Sequence, residues 1–505
     1  MFAKALYLVT RLCIPPVVLA HVSLAEYGLW TACFVLIMYV GLTDVGFSNV
    51  YVRFTARYAA AGNTDGINRL LSTGVASLSV LALIVFAAVW FFLPLLLGFL
   101  KIDAVYREKA SILVMGTTGM FLIDLSLGAY CYLLHGLQRI KEEQKVAIAG
   151  YLLELILILA FLQAGYGVYA LLMAFALRYT WSLLSFMRLA HRFLPGLQIR
   201  PRHFDKKMLR HFLGFGATVQ ASALLGTVLF SIDRLLAGFL LGPKGIALFE
   251  LAAKLPVSAL AVPSAISNVT LATASRYAAL DDMAAIRNLH QQATRSTSLL
   301  VAVPLGFMAV FAAPIGKIWL GEAADLQGWP MIMALTALWS HLHIVTGPGS
   351  AIFRAMGKAG NEFIYHGLRA LCLAMSVGIG LLAMPSTTAG LAWGLAIGGG
   401  SAAAAYLAVN QRILGLSLRA LLTSVLVPAL PAYAIAGVFR LFWEPLLPAT
   451  AGRWETLSLL LLFGTLYTIA SLMLSWTFVL TRGERTHLLE IRGKLLGKMP
   501  QWKNS

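Results

Sequence analysis

The sequence predicts an all-α polytopic membrane protein with about 14 transmembrane helices, arranged as two parallel six-helix repeats plus two C-terminal helices. Three observations lead there. Of 505 residues, 59% are hydrophobic and only 12% charged, and the mean hydropathy is +0.80. Soluble domains carry about 25% charged residues, so this chain has too few to cover a folded surface in water. The apolar residues form long continuous runs, and one stretch of sequence recurs further along the chain. These features exclude a soluble enzyme, a disordered chain and a disulfide-rich secreted domain. The length of the runs, without short alternation, also excludes an outer-membrane barrel.

A spanning helix needs about 20 mostly apolar residues. Such runs lie at 5–23, 27–49, 70–97, 111–133, 146–163, 168–187, 215–240, 248–272, 296–316, 330–352, 370–385, 389–408, 420–439 and 456–480. The first is not a signal peptide: Arg11 interrupts it, Pro15–Pro16 follow, and no small-residue cleavage site is evident. Pro256, Pro263 and Gly347–Pro348 interrupt the eighth and tenth runs, where a missing N–H frees carbonyls and allows a bend. The thirteenth and fourteenth runs lie outside the repeated unit.

Orientation comes from loop charge. With both termini cytoplasmic, 28 of the 39 Lys and Arg fall in cytoplasmic segments, seven on the opposite side, and four within spans. The net charge of +18 is thus largely a topology signal, and no nucleic-acid partner is expected. The chain divides into an N-lobe (1–187), a basic cytoplasmic linker (188–214), a C-lobe (215–410), spans 13–14 (411–480) and a basic cytoplasmic tail (481–505). The linker carries Arg200, Arg202, Lys206, Lys207 and Arg210 among Phe204, Leu209 and Phe212. That pattern fits contact with anionic membrane lipids, and equally a solvated linker.

The repeat is carried by SNVYVRFTARYAA at 48–60 and SNVTLATASRYAA at 267–279. The same offset pairs Trp30 with Phe249, Ile67 with Ile286, Leu70 with Leu289 and Arg139 with Lys358. It spans six helices, an even number, so both copies have one orientation in the membrane. Paired bundles of this kind can enclose a central site and expose it alternately to the two sides.

Ionisable groups within spans are costly and each needs a reason. Asp124, Glu154 and Arg178 lie about 12–14 Å from the cytoplasmic ends of spans 4, 5 and 6. They form either a buried ion-pair network or a protonation or cation site coupled to transport. Asp233 and Arg234 are adjacent in span 7 and point about 100° apart, so one faces the cleft and the other a neighbouring helix. Glu250 and Lys254 have the i, i+4 spacing of an intrahelical pair. Asp44 lies near the inner end of span 2, with Arg53 beyond it. Arg11, Arg53, Arg234 and Lys254 are the candidates to line a basic cleft. Arginine binds phosphate oxygens bidentately and keeps its charge when desolvated, so such a cleft suits an anionic head group. Asp44, Asp124, Glu154, Arg178 and Asp233 are the candidates for ion coupling or gating.

Cys13, Cys33, Cys131 and Cys372 sit in apolar runs at scattered spacing, without the pattern of a disulfide framework or a metal-ligand pair. His341 and His343, at i and i+2, point to different helix faces, which favours packing over a shared metal. No phosphate-binding loop or compact catalytic motif is present, and the outer loops near 98–110, 317–329 and 440–455 are short. The chain is expected to be neither an ATPase nor another enzyme, and to need no cofactor or metal.

Three segments carry a family resemblance: AEYGLW at 25–30, GLTDVGFSNVYVRFTARYAA at 41–60 and IDRLLAGFLLGPKGIALFELAAKL at 232–255. They resemble the EYG, D-[LV]-G and DR-(apolar)-G elements of the oligosaccharide (O-antigen/polysaccharide) flippases, members of the multidrug/oligosaccharidyl-lipid/polysaccharide exporter superfamily. Gly245–Phe249 departs from the family's more usual Gly-Tyr pair. The resemblance implies a flippase that moves an undecaprenyl-pyrophosphate-linked glycan from the cytoplasmic to the periplasmic leaflet of the bacterial inner membrane. It further implies that Arg11, Arg53 and Arg234 contact pyrophosphate or acidic sugar, and that polysaccharide polymerase machinery is a partner. Two alternatives remain: an ion-coupled multidrug/cation antiporter of the same superfamily, and a polytopic glycan-modifying enzyme.

Overall fold

The structure is a computed structural model that describes residues 2–41, 47–213, 225–321, 327–446, 452–480, 484–486 and 489. These residues are helical throughout, with turns between helices and no strand among them. Backbone N–H and C=O groups find no partners in hydrocarbon, so each apolar run closes its hydrogen bonds within itself. Among the described residues, ten helices are long and apolar enough to cross a membrane, and Leu6–Leu19 and Leu24–Ile37 are shorter apolar helices. The chain is a multi-pass membrane protein. Asp44, the start of the seventh run and nearly all of the tail lie outside the described residues.

The helices, in chain order, are α1 (Phe2–Leu19), α2 (Leu24–Gly41), α3 (Phe47–Ala60), α4 (Thr64–Phe99), α5 (Ala104–Leu127), α6 (Ala129–Gly136), α7 (Ile140–Gln163), α8 (Tyr169–Phe193) and α9 (Lys206–Leu213). There follow α10 (Ile232–Ala259), α11 (Ala261–Ala279), α12 (Met283–Val310), α13 (Ala312–Leu320), α14 (Trp329–Val345) and α15 (Gly347–Ala355). The last four are α16 (Glu362–Ala383), α17 (Thr387–Leu414), α18 (Leu418–Leu446) and α19 (Arg453–Leu474).

Helix ends keep the offset of the sequence repeat. Helix α3 ends at Ala60 and α11 at Ala279, while α4 begins at Thr64 and α12 at Met283. Both pairs are separated just as Ser48 is from Ser267. Spans 4 and 10 each break before a short helix, α6 at Ala129 and α15 at Gly347. Gly242 has φ 70° and interrupts α10, a left-handed conformation that glycine adopts without the Cβ penalty. Its counterpart in the first copy is Ser23, in the turn between α1 and α2.

Contacts divide the chain into two units: residues 1–258, 319–332 and 359–398, and residues 259–318, 333–358 and 399–505. The first has a core of Tyr51, Ile67, Leu70, Leu71, Leu78, Leu122 and Leu133 from α3 to α6, with Leu197 packed on it. The second has Ala274, Ile286, Ile352, Phe353 and Leu414. Ile67 and Ile286 are again equivalent in the repeat, as are Leu133 and Ile352. Large apolar side chains on α4, among them Leu83, Trp90, Phe91 and Leu95, are exposed, as a lipid-facing surface requires.

Helix α8 runs six residues into the segment taken as linker, because Arg188, His191 and Arg192 end an apolar run without ending a helix. The rest of the linker is held on polar groups of α4. The amide of Asn68 donates to the Gly196 carbonyl (3.0 Å), and the N–H of Gln198 donates back to Asn68 Oδ1 (2.8 Å). The N–H groups of Arg200 and Asp205 donate to Ser72 Oγ (3.0 Å) and Thr73 Oγ1 (2.9 Å). This anchorage leaves Arg200, Arg202, Lys206 and Lys207 exposed.

Candidate functional site

The residues of the EYG element each have a structural task. Glu26 closes a capping box at the start of α2. The Ser23 N–H and Oγ donate to Glu26 Oε2 (both 3.1 Å), and the Glu26 N–H donates back to Ser23 Oγ (3.2 Å). Lys109 of α5 pairs with the same carboxylate at 2.6 Å. Tyr27 is buried and its hydroxyl accepts from Lys254 Nζ at 3.5 Å. At Gly28, a Cβ would lie 1.9 Å from the Pro243 carbonyl oxygen, so only glycine permits this approach of α2 to α10.

Helix α1 carries Pro15 and Pro16. Pro16 has no N–H to give the carbonyl four residues back. That carbonyl, on Leu12, accepts instead from the indole Nε1 of Trp319 at 2.8 Å. The turn of α1 that bears Arg11 is thereby fixed from outside the helix.

Among the described residues, two three-membered ionic groups lie within the first unit. In one, Arg11 Nη2 of α1 donates to both oxygens of Glu154 of α7, at 3.1 and 2.9 Å. Arg178 Nε of α8 pairs with Glu154 Oε2 at 3.2 Å. The Glu154 side chain is 4% exposed. Both guanidiniums also lie over aromatic rings, Arg11 at 5.1 Å from the Tyr7 centroid and Arg178 at 4.0 Å from that of Tyr179, positions that favour cations. Asp124 of α5 interacts electrostatically with Tyr179. The three acidic and basic groups placed at one depth by the sequence therefore meet around Tyr179 and Glu154.

In the other group, Glu250 is the shared carboxylate. Arg234 Nε lies 2.6 Å from Glu250 Oε2, and Lys254 Nζ lies 2.9 Å from Oε1. The i, i+4 pair of the sequence is present, with a second cation that the spacing did not show. Asp233 is half-buried, its buried Oδ1 has no hydrogen-bond partner among the described residues, and it interacts electrostatically with Arg234, with Glu250 and, less strongly, with Arg369 of α16. Tyr27 joins the two groups, since its hydroxyl interacts electrostatically with Lys254, Glu250 and Arg11.

Arg53 lies exposed on α3, with its guanidinium 5.8 Å from the Phe54 centroid. Among the described residues, no ion pair joins it to either group. Residues that the sequence did not single out for the site are Glu250 as a shared counter-ion, Tyr27, Tyr179 and Arg369. Arg369 was counted in a cytoplasmic loop, because its charge shortens the apolar run. It is in fact buried within α16.

In the second unit, His341 Nε2 lies 3.0 Å from Ser298 Oγ, and Nδ1 lies 3.2 Å from the Tyr433 hydroxyl. His341 is a buried, hydrogen-bonded residue, in keeping with a packing role.

Among solved structures, the chain is similar to an inward-facing multidrug resistance MATE family transporter of the MOP superfamily. The identity is 15% and the TM-score 0.70, covering 80% of this chain and 94% of that one. It is also similar to the lipid II flippase MurJ in an inward closed conformation, at 16% identity and TM-score 0.70, covering 95% of this chain and 98% of that one. A MOP superfamily transporter from Pyrococcus furiosus aligns at 17% identity and TM-score 0.56, covering 82% of this chain and 93% of that one. These likenesses establish a shared fold. No curated protein matches. The family model described as "Polysaccharide biosynthesis protein" matches residues 11–274, just over half of the sequence, and the chain belongs to that family.

Proposed function

We propose that the protein is a flippase that moves an undecaprenyl-pyrophosphate-linked oligosaccharide from the cytoplasmic to the periplasmic leaflet by alternating access, and that it is not an enzyme. The observation that carries this reading is the set of basic side chains within the first unit, Arg11, Arg178, Arg234 and Lys254, which pair among the described residues with two shared carboxylates, Glu154 and Glu250. An unpaired guanidinium within a membrane is costly. The two carboxylates act as resident counter-ions and keep the cations in place when no substrate is bound. A pyrophosphate brings several oxygens that guanidinium groups bind bidentately. It displaces the carboxylates from Arg11, Arg234 and Lys254, and the lipid tail stays in the bilayer. Arg53, exposed on α3, meets the anion at an earlier stage of entry.

Asp124, Glu154 and Asp233, with Arg178, form the coupling or gating set, together with Asp44. A carboxylate that loses its arginine to the substrate gains a reason to take up a proton or cation. In this reading the fourteen spans form two parallel six-helix repeats, with lobes at 1–187 and 215–410, and both termini are cytoplasmic in the bacterial inner membrane. The exposed basic linker lies on anionic lipids, and polysaccharide polymerase machinery receives the product.

The second reading, an ion-coupled antiporter of organic cations, is favoured by one feature. Asp233 is a half-buried carboxylate whose buried Oδ1 lacks a hydrogen-bond partner among the described residues. Reconstitution separates the two readings. Proteoliposomes containing the protein should move a fluorescent lipid-linked glycan between leaflets. Arg11→Gln and Arg234→Gln should each slow that movement at least tenfold in protein that remains monodisperse. Unchanged rates in both variants would remove the basic-site model. Gradient-driven efflux of an organic cation, abolished by Asp233→Asn and accompanied by no glycan movement, would establish the antiporter instead.

A further inference from the structure

Away from the ionic groups, the hairpin between α6 and α7 brings together three side chains of metal-binding type: Cys131, His135 and Glu143. Their ligand atoms lie within 4.8 Å of one another, and all three residues are half-buried. Cys131 and His135 are at i and i+4 on α6, which places them on one helix face. Glu143 is brought to that face by a tight turn. The Gln138 N–H donates to the His135 carbonyl (3.0 Å), the Arg139 N–H donates to the Leu134 carbonyl (2.8 Å), and Gln138 has φ 59°. Gln144 Nε2 donates to Glu143 Oε2 at 2.6 Å and holds the carboxylate toward the pair.

The spacing of His135 and Glu143 fits a shared ion. His135 Nε2 lies 3.7 Å from Glu143 Oε2, beyond hydrogen-bond length. Two ligands bound to one tetrahedral zinc at about 2.0–2.3 Å stand about 3.3–3.7 Å apart.

We infer that Cys131, His135 and Glu143 form a binding site for a thiophilic divalent cation, Zn²⁺ in the first instance, with one coordination position left for water or a further ligand. One thiolate, one imidazole and one carboxylate select zinc over the hard cations Mg²⁺ and Ca²⁺. Coordination releases the Cys131 proton to solvent. The ion ties the end of α6 to the first turn of α7 and so stiffens the hairpin. Considered alone, the cysteines show no ligand pair. The site becomes visible only when the register of α6 and the turn after it are known. It stands or falls independently of the transport reading.

The test uses the full-length, metal-free protein in detergent, titrated with Zn²⁺ against a chromophoric chelator. One ion should bind per chain. Cys131→Ser, His135→Ala and Glu143→Gln should each weaken binding at least tenfold, while Cys372→Ser should leave it unchanged. Co²⁺ in place of Zn²⁺ should give a thiolate charge-transfer band that is lost in Cys131→Ser. Absence of binding overturns the proposal. Equal uptake by wild type and all three variants would mean an adventitious ion only, and also overturns it. A readout on unmutated protein guards against variants that fail to fold. Zn²⁺ should slow alkylation of Cys131 at least tenfold, resolved by peptide mass spectrometry, without altering Cys13. Unslowed labelling of Cys131 overturns the proposal.

Discussion

Neutralising Glu154 tests the ionic group at its centre. This one carboxylate receives two hydrogen bonds from Arg11 and an ion pair from Arg178, and its side chain is 4% exposed. Removing one partner of a buried ion pair costs about 3–5 kcal/mol, mostly because the other charge is left unpaired. Glu154→Gln keeps the shape and a carbonyl acceptor. Arg11 and Arg178 are 23% and 13% exposed, so solvation recovers part of the loss. The expected cost is about 2–3 kcal/mol. Unfolding of a chain this large need not be two-state, so the readout is the shift in thermal midpoint in detergent, followed by tryptophan fluorescence. At about 2–4 °C per kcal/mol for a unit of 150–250 residues, the midpoint should fall by about 4–12 °C. A double-variant cycle makes the attribution specific. Arg11→Gln combined with Glu154→Gln should shift the midpoint by less than the sum of the single shifts, the shortfall corresponding to about 1 kcal/mol or more. An unchanged midpoint in Glu154→Gln, or strict additivity in the cycle, would refute the description of Glu154 as the counter-ion of Arg11.

Three further outcomes follow from local geometry. Gly28→Ala should abolish monodisperse protein in size-exclusion chromatography, because its Cβ would lie 1.9 Å from the Pro243 carbonyl oxygen; a normal profile and midpoint would show that α2 can retreat. Trp319→Phe should cost about 1–2 kcal/mol by orphaning the Leu12 carbonyl, and Pro16→Ala, which restores an N–H four residues on, should recover much of the loss in midpoint; failure of that rescue would separate the indole bond from the proline. Lys109→Ala should cost less than about 1 kcal/mol, since the lysine side chain is 41% exposed and Glu26 keeps its Ser23 contacts; a larger drop in midpoint would mean that this pair anchors α5 to α2.

The sequence revealed helices far better than it revealed partners. Hydropathy locates apolar runs, because the cost of unsatisfied backbone in lipid makes each run a helix. It does not locate helix ends, which explains the extension of α8 through His191 and Arg192 and the placement of Arg369 in a loop. Breaks within a run are legible only where a residue type marks them. Gly347–Pro348 marks one in the tenth run, whereas the break after Leu127 precedes a glycine with an ordinary helical φ of −58°. The charges within apolar runs, Arg11, Glu154, Arg178, Asp233 and Arg234, stood out because lipid makes every charge conspicuous. Their pairing did not stand out, since Arg11 and Glu154 are 143 residues apart in sequence. Glu250 was assigned to Lys254 by spacing alone, and its second cation, Arg234, required the fold across the Gly242 break.

The repeat and the charges differ in one informative way. Helix boundaries and core positions recur at the repeat offset, but the ionic residues do not. The positions equivalent to Arg11, Glu154 and Arg178 are Phe230, Leu373 and Ile397. Those equivalent to Asp233, Arg234, Glu250 and Lys254 are Ile14, Pro15, Thr31 and Val35. Each copy therefore carries its own ionic residues, Arg11, Glu154 and Arg178 in the first and Asp233, Arg234, Glu250 and Lys254 in the second, and has uncharged residues where the other has charges. Replacing buried ion pairs by apolar residues is often neutral or stabilising, so a scaffold that manages without them in one copy does not require them in the other. Ionic sets that differ between the copies therefore point to a use other than cohesion. Two different ionic sets in otherwise similar copies suit the proposed substrate, which is itself unsymmetrical, with one anionic group between a lipid and a glycan.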